Sequence, residues 1–119
     1  MDKAEFQKRT KQFALRSFKL VEALPRTTAG KVIANQLARS ASSVGANYRA
    51  ACRSRSKAEF ISKLGNVLEE ADEGCYWMEL IIEGNILPAK KVSSLLSEGG
   101  EITAIVAASR NTSLKNLKS

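Results

Sequence analysis

The sequence predicts an all-α fold, an antiparallel up-down-up-down four-helix bundle, on three observations. Apolar residues recur at steps of three and four through four separate segments. Short stretches carrying Pro, Gly or Ser divide the segments, and short connections make consecutive helices antiparallel neighbours. No strand-type alternation, internal repeat or low-complexity tract competes with this pattern. A chain of 119 residues fits one domain able to bury about two-thirds of its unfolded surface, and the bundle is expected over residues 1–110.

The first helix is expected at about residues 3–24, with Phe6, Phe13 and Leu20 at heptad spacing and Ala14, Phe18, Val21 and Leu24 widening the stripe. Pro25 ends it, and Thr28 is the expected N-cap of a second helix at about 29–54. Ser56 and Glu59 form a Ser-x-x-Glu capping box that opens a third helix at about 57–84. Its stripe is Phe60, Leu64, Val67, Ala71, Cys75, Met78 and Ile82, and Gly84-Asn85 closes it. Pro88 suits the first turn of a fourth helix at about 88–109, which carries Val92, Leu95, Leu96, Ile102, Ile105 and Val106. Gly99-Gly100 lies inside it, each glycine costing up to about 1 kcal/mol against alanine, so whether the helix runs through them stays open. Residues 111–119 are polar and basic with nothing periodic to bury, and are expected to form a mobile tail.

Composition narrows function. The chain has no histidine, which removes the commonest general base and metal ligand and excludes the Glu-x-x-His sites of di-iron bundles. The two cysteines, Cys52 and Cys75, read as small buried hydrophobes in a reducing compartment. No nucleophile and base stand at a recognisable spacing, so the expectation is a protein that is not an enzyme, with no catalytic residue, metal or cofactor. No apolar run approaches the about 20 residues needed to span a bilayer. The N-terminus is charged and lacks the features of a secretory signal, so a cytoplasmic address is expected.

The second helix separates into faces at about 100° per residue. Ile33, Leu37, Ala41, Val44, Tyr48 and Ala51 make the core face. Gln36, Ser40, Ser43 and Asn47 form a polar seam beside it, which either bonds across to neighbouring helices or subunits or holds a ligand; the first reading is preferred. Ala34, Ala38, Gly45 and Cys52 line the other flank, where small side chains let a helix approach, and Arg39, Arg49 and Arg53 project away from the core.

Charge is segregated. Residues 25–57 hold seven basic and no acidic residues, whereas residues 58–87 hold seven acidic residues and only Lys63 as a base. Within a net charge of +7, residues 1–24 and 88–119 each contribute +3. Arg39, Arg49, Arg53, Arg55 and Lys57 are therefore the candidate nucleic-acid-binding residues, neutralising phosphates with little sequence preference. The equal alternative is that this surface meets the acidic third helix of a neighbouring subunit. On that helix Glu69, Asp72, Glu79 and Glu83 lie along one stripe with Tyr76, read as a solvated face, and Trp77 falls outside the main stripe, as if on a second packing surface.

The run Gln36-Leu37-Ala38-Arg39-Ser40-Ala41-Ser42-Ser43-Val44-Gly45-Ala46-Asn47 resembles the second-helix signature of the bacterial four-helix bundle proteins first noticed in 23S rRNA intervening sequences. Ser56-Lys57-Ala58-Glu59-Phe60-Ile61 is similar to the family's start of helix three, and Glu70-Ala71-Asp72-Glu73 with Tyr76-Trp77-Met78 is similar to its middle. The resemblance covers about residues 6–108. Many members follow the asparagine with Ile-Ala-Glu-Gly; here Asn47 precedes Tyr48-Arg49-Ala50-Ala51, so no role of that Glu-Gly carries over. The resemblance implies an antiparallel four-helix bundle in a homo-oligomeric ring, a homopentamer in known relatives, and no established reaction. Accessory proteins of diversity-generating retroelements are similar in fold and thought to engage RNA and a reverse transcriptase. By that analogy an RNA ligand is the leading expectation, and a protein-interaction scaffold or accessory subunit with no nucleic-acid binding is the alternative.

Overall fold

The computed structural model describes residues 1–118, which form four long helices, α1 (Lys3–Glu22), α2 (Thr28–Cys52), α3 (Lys57–Glu83) and α4 (Ser93–Lys118). One 3-10 turn, Ala89–Lys91, precedes α4, and there is no strand among the described residues. The molecule measures 51 × 22 × 19 Å. Each helix packs on the next in sequence, and α1 also meets α4, over a shorter span.

Caps set the ends. Asp2 accepts from the Glu5 N–H at the start of α1. Thr27, one residue before the expected cap, accepts from the Gly30 N–H at 3.0 Å and starts α2. Gly30 is required there, because a Cβ would stand 2.0 Å from the Pro25 carbonyl oxygen. Ser56 Oγ accepts from the Glu59 N–H at 3.1 Å, but Glu59 accepts from the Arg55 N–H at 3.3 Å rather than from Ser56, so the capping box is closed one residue upstream. Gly84 caps α3, and Asn85 follows in the left-handed region at φ 55°. Pro88 belongs to the 3-10 turn instead of α4, which starts only at Ser93.

The core is the one the periodicity predicts, with instructive differences. All six core-face residues of α2 are buried. On α1 the buried line is Phe6, Thr10, Phe13, Ser17 and Leu20. Thr10 and Ser17 complete the heptad seam with hydroxyls that donate back to the Gln7 and Phe13 carbonyls at 3.0 and 2.8 Å, so burial leaves no orphaned donor. Phe18, expected to widen this stripe, is 41% exposed and stands outside it. The small seam residues bring α1 close to α2: a Cβ on Gly45 would lie 3.2 Å from Thr10 Oγ1. On α3 the buried face is centred on Ile61, Leu64, Val67, Ala71, Gly74, Met78 and Ile81, leaving Phe60, Cys75 and Ile82 on its half-buried margin. Trp77 packs against the core from outside that face.

Helix α4 runs unbroken through Gly99-Gly100. The reason is packing. Gly99 is buried, and a Cβ there would meet Cys75 Sγ at 2.7 Å and the Phe13 ring at 3.4 Å, so the glycine permits a close crossing whose contacts outweigh its propensity cost. The helix also continues past residue 109. Residues 111–118, expected as a mobile tail, are its last two turns, while Ser119 lies outside the described residues. Between helices, Arg9 grips Glu98 through two bonds of 2.7 Å and reaches Glu101 at 3.3 Å, Arg16 reaches Ser94, and the Arg110 Nε–H donates to the Ile61 carbonyl at 3.2 Å.

Candidate nucleic-acid interface

Of the five cations singled out from sequence, the structure separates one from four. Arg39 lies midway along α2 and is held by α3: its guanidinium bonds Glu70 at 3.0 Å and Glu73. These carboxylates raise the arginine's pKa and leave it little free charge for a phosphate. Arg39 thus ties α2 to α3, which sets it apart from the other four candidates. Arg49, Arg53, Arg55 and Lys57 are exposed and make no side-chain ion pair among the described residues.

The local sequence explains their freedom. Helix α2 ends at Cys52 with Arg53 as its C-cap, where the negative end of the helix dipole favours cations. The first acid of α3, Glu59, is engaged by Lys63 at 2.9 Å and by the Arg55 N–H, and these bonds hold its carboxyl below the usual range. The next acid, Glu69, is ten residues further on, about 15 Å along the helix axis. The four cations at the α2–α3 turn are thus left without a carboxylate ion-pair partner among the described residues. Lys3 sits at the same end, its ammonium 5.0 Å from the Phe60 ring.

A groove of about 780 Å³ runs from this end along the α1–α2 seam. Lys3, Lys8, Lys11 and Arg49 line it with Ala14 and Gly45, and no acidic side chain does. Sequence reading missed the α1 lysines. Their signal was Lys8 and Lys11 three apart in a segment of net +3, off the Phe6, Phe13 and Leu20 stripe.

The polar seam of α2 is local. Ser40, fully buried, donates to the Gln36 carbonyl at 2.9 Å; the Asn47 amide donates to the Ser43 carbonyl at 2.8 Å; Gln36 Oε1 accepts from Arg39 Nε–H at 3.4 Å. The expected bonds from Gln36 and Asn47 to neighbouring helices do not occur among the described residues, because each side chain finds a partner on its own helix first.

On α3, Glu69, Asp72, Tyr76, Glu79 and Glu83 are exposed along one ridge, and no metal-binding cluster occurs among the described residues. Tyr76 stands edge-on to Trp77 at 5.2 Å, and the indole N–H points at Glu73 from 3.5 Å. Cys52 and Cys75 are free and half-buried. Burial, with Asp72 and Glu79 nearby, pushes the Cys75 thiol up to about 11, so it stays protonated at neutral pH.

No helix is long and apolar enough to cross a membrane among the described residues. No curated protein matches the chain. A crystal structure of a protein of unknown function from the S23 ribosomal protein family of Bacteroides thetaiotaomicron is similar to it, at 31% identity and a TM-score of 0.85 over 93% of this chain and 99% of that one. The model of the 23S rRNA-intervening sequence proteins matches residues 2–108. With nearly its whole length covered, the chain belongs to the 23S rRNA-intervening sequence protein family.

Proposed function

We propose that this protein is a non-enzymatic, cytoplasmic, oligomeric antiparallel bundle that binds RNA through the cations gathered where α2 turns into α3. The observation that carries the reading is the state of Arg49, Arg53, Arg55 and Lys57, exposed and making no side-chain ion pair among the described residues. Such a cluster attracts a polyanion by releasing its counterions, with steep salt dependence and little base preference. Helices position the charges and supply no chemistry of their own. The up-down-up-down arrangement is supported by the numbering of contacts, since Arg9 meets Glu98 while Arg16 meets Ser94, and Gly65 lies by Arg110 while Cys75 lies by Gly99. RNA is favoured over DNA by the rRNA setting of the family and by the name of the similar Bacteroides protein's family. A ring assembly is what the family resemblance suggests.

The test is a mobility shift with a labelled single-stranded RNA at low salt, using protein whose absorbance ratio shows what nucleic acid came with it. Binding is expected to weaken sharply between about 50 and 200 mM salt and further on Arg49→Glu with Arg53→Glu, the helical fold persisting. Binding unchanged by both substitutions rejects this surface. The second reading, a protein-interaction scaffold, is favoured by Leu15 and Phe18, 47% and 41% exposed on α1. It gains if the purified oligomer is free of nucleic acid and binds none.

A further inference from the structure

From the two outward surfaces left unpartnered we infer that the α1–α2 groove of one copy receives the acidic α3 ridge of a second copy, in a head-to-tail contact. The inference rests on the oligomeric part of the function proposed above and names the surfaces that would join. The groove is cationic along its α1 wall, with Lys3, Lys8 and Lys11, but it is also lined by small residues such as Ala14 and Gly45. Exposed Leu15 and Phe18 extend apolar surface along the same helix. A phosphate backbone has no use for such a lining, whereas a helix carrying carboxylates and an aromatic ring does.

That helix is α3. Glu69, Asp72, Tyr76, Glu79 and Glu83 follow at steps of three, four, three and four, which puts them on one ridge about 21 Å long. The groove's α1 wall, from Lys3 to Ala14, is about 17 Å long. None of the ridge acids makes an ion pair among the described residues, and Arg39 is shared between Glu70 and Glu73 on the flank facing α2. At the centre Tyr76 is 51% exposed, a large ring with a polar tip of the kind that anchors protein contacts. Groove and ridge are different surfaces of one chain, so the contact is heterologous. It repeats from copy to copy, closing into a ring or continuing as a filament, and cannot make a two-fold dimer.

The test is the mass of the full chain by light scattering, at low and high salt, for wild type and three variants checked for helix content by circular dichroism. Lys8→Glu with Lys11→Glu places acids in the groove, Glu69→Lys with Glu79→Lys places bases on the ridge, and the third chain carries all four substitutions. Wild type is expected to be an oligomer, each double variant to fall to monomer mass, and the fourfold variant to recover the wild-type mass because both charges are reversed together. All positions are exposed on helices; if one double variant fails to fold, the other and its salt dependence carry the test. A wild-type oligomer that neither double variant reduces overturns the groove-and-ridge contact while leaving the oligomeric reading intact. A monomeric wild type overturns both.

Discussion

Two stretches of the same helix carry arginines on its outer side and use them in opposite ways. Midway along α2, Arg39 is clasped by Glu70 and Glu73 of α3, beside Leu37 and Ala41, which are fully buried. About three turns later Arg49, and at and just past the helix end Arg53 and Arg55, face solvent and make no side-chain ion pair among the described residues. The difference lies in α3, whose acids begin in earnest at Glu69 and are absent from its first turns save the already engaged Glu59. A charge block in sequence therefore becomes a structural clasp where the facing helix supplies carboxylates, and a free positive surface where it does not.

The sharpest way to separate the two stretches is to damage each. Leu37→Ala removes a fully buried side chain from the clasped region and is expected to cost about 2–5 kcal/mol in urea unfolding. Arg53→Ala at the free end should alter stability by no more than about 0.5 kcal/mol. Next in size, Arg53→Glu with Arg55→Glu should weaken RNA binding at least about tenfold near 150 mM salt and flatten its salt dependence, whereas Arg39→Gln should leave affinity within about twofold, because that guanidinium is already neutralised. A large loss from Arg39→Gln would erase the distinction.

A smaller effect concerns the other clasp, Arg9 with Glu98. Arg9 holds the Glu98 carboxyl below its usual range, so the stabilisation is fully present above the unfolded value of about 4.3 and is lost as pH falls through the depressed folded value. The thermal midpoint should decline as pH drops below about 4.5. Arg9→Ala should cost roughly 1 kcal/mol at pH 7 for this two-bonded, partly exposed pair, and should make the acid-side decline shallower. The smallest change expected is from Gly100→Ala, which faces open space in α4 and should stabilise by up to about 1 kcal/mol. Gly99→Ala, against Cys75 and Phe13, should destabilise.

Much of the fold was legible because burial follows period. Ile33, Leu37, Ala41, Val44, Tyr48 and Ala51 were read as one face from spacing alone and are all interior. Thr10 and Ser17 were not, since hydroxyls at core positions carry no hydropathy signal; they are tolerated because each donates to a carbonyl of its own helix. Continuity through Gly99 was unreadable, since it depends on Cys75 and Phe13 lying opposite, a fact of three dimensions. The helical end at residues 111–118 contains only Leu114 and Leu117 as apolar residues, too few to show a period. At the candidate interface, the charge block does not tell Arg39, which Glu70 and Glu73 hold, from Arg49, Arg53, Arg55 and Lys57, which are exposed and make no side-chain ion pair among the described residues, nor does it include Lys8 and Lys11. Which helix lies beside which decides whether a cation is spent or free, and the sequence of one helix does not contain its neighbour.

Fluorescence anisotropy of a labelled single-stranded RNA, titrated at one fixed salt concentration with wild type, with Arg53→Glu plus Arg55→Glu, and with Arg39→Gln, asks whether the unpaired cations bind RNA. Wild type and Arg39→Gln are expected to bind alike, while the double reversal binds far more weakly. Equal binding by all three proteins, or no binding by wild type at low salt, would contradict RNA binding by these cations.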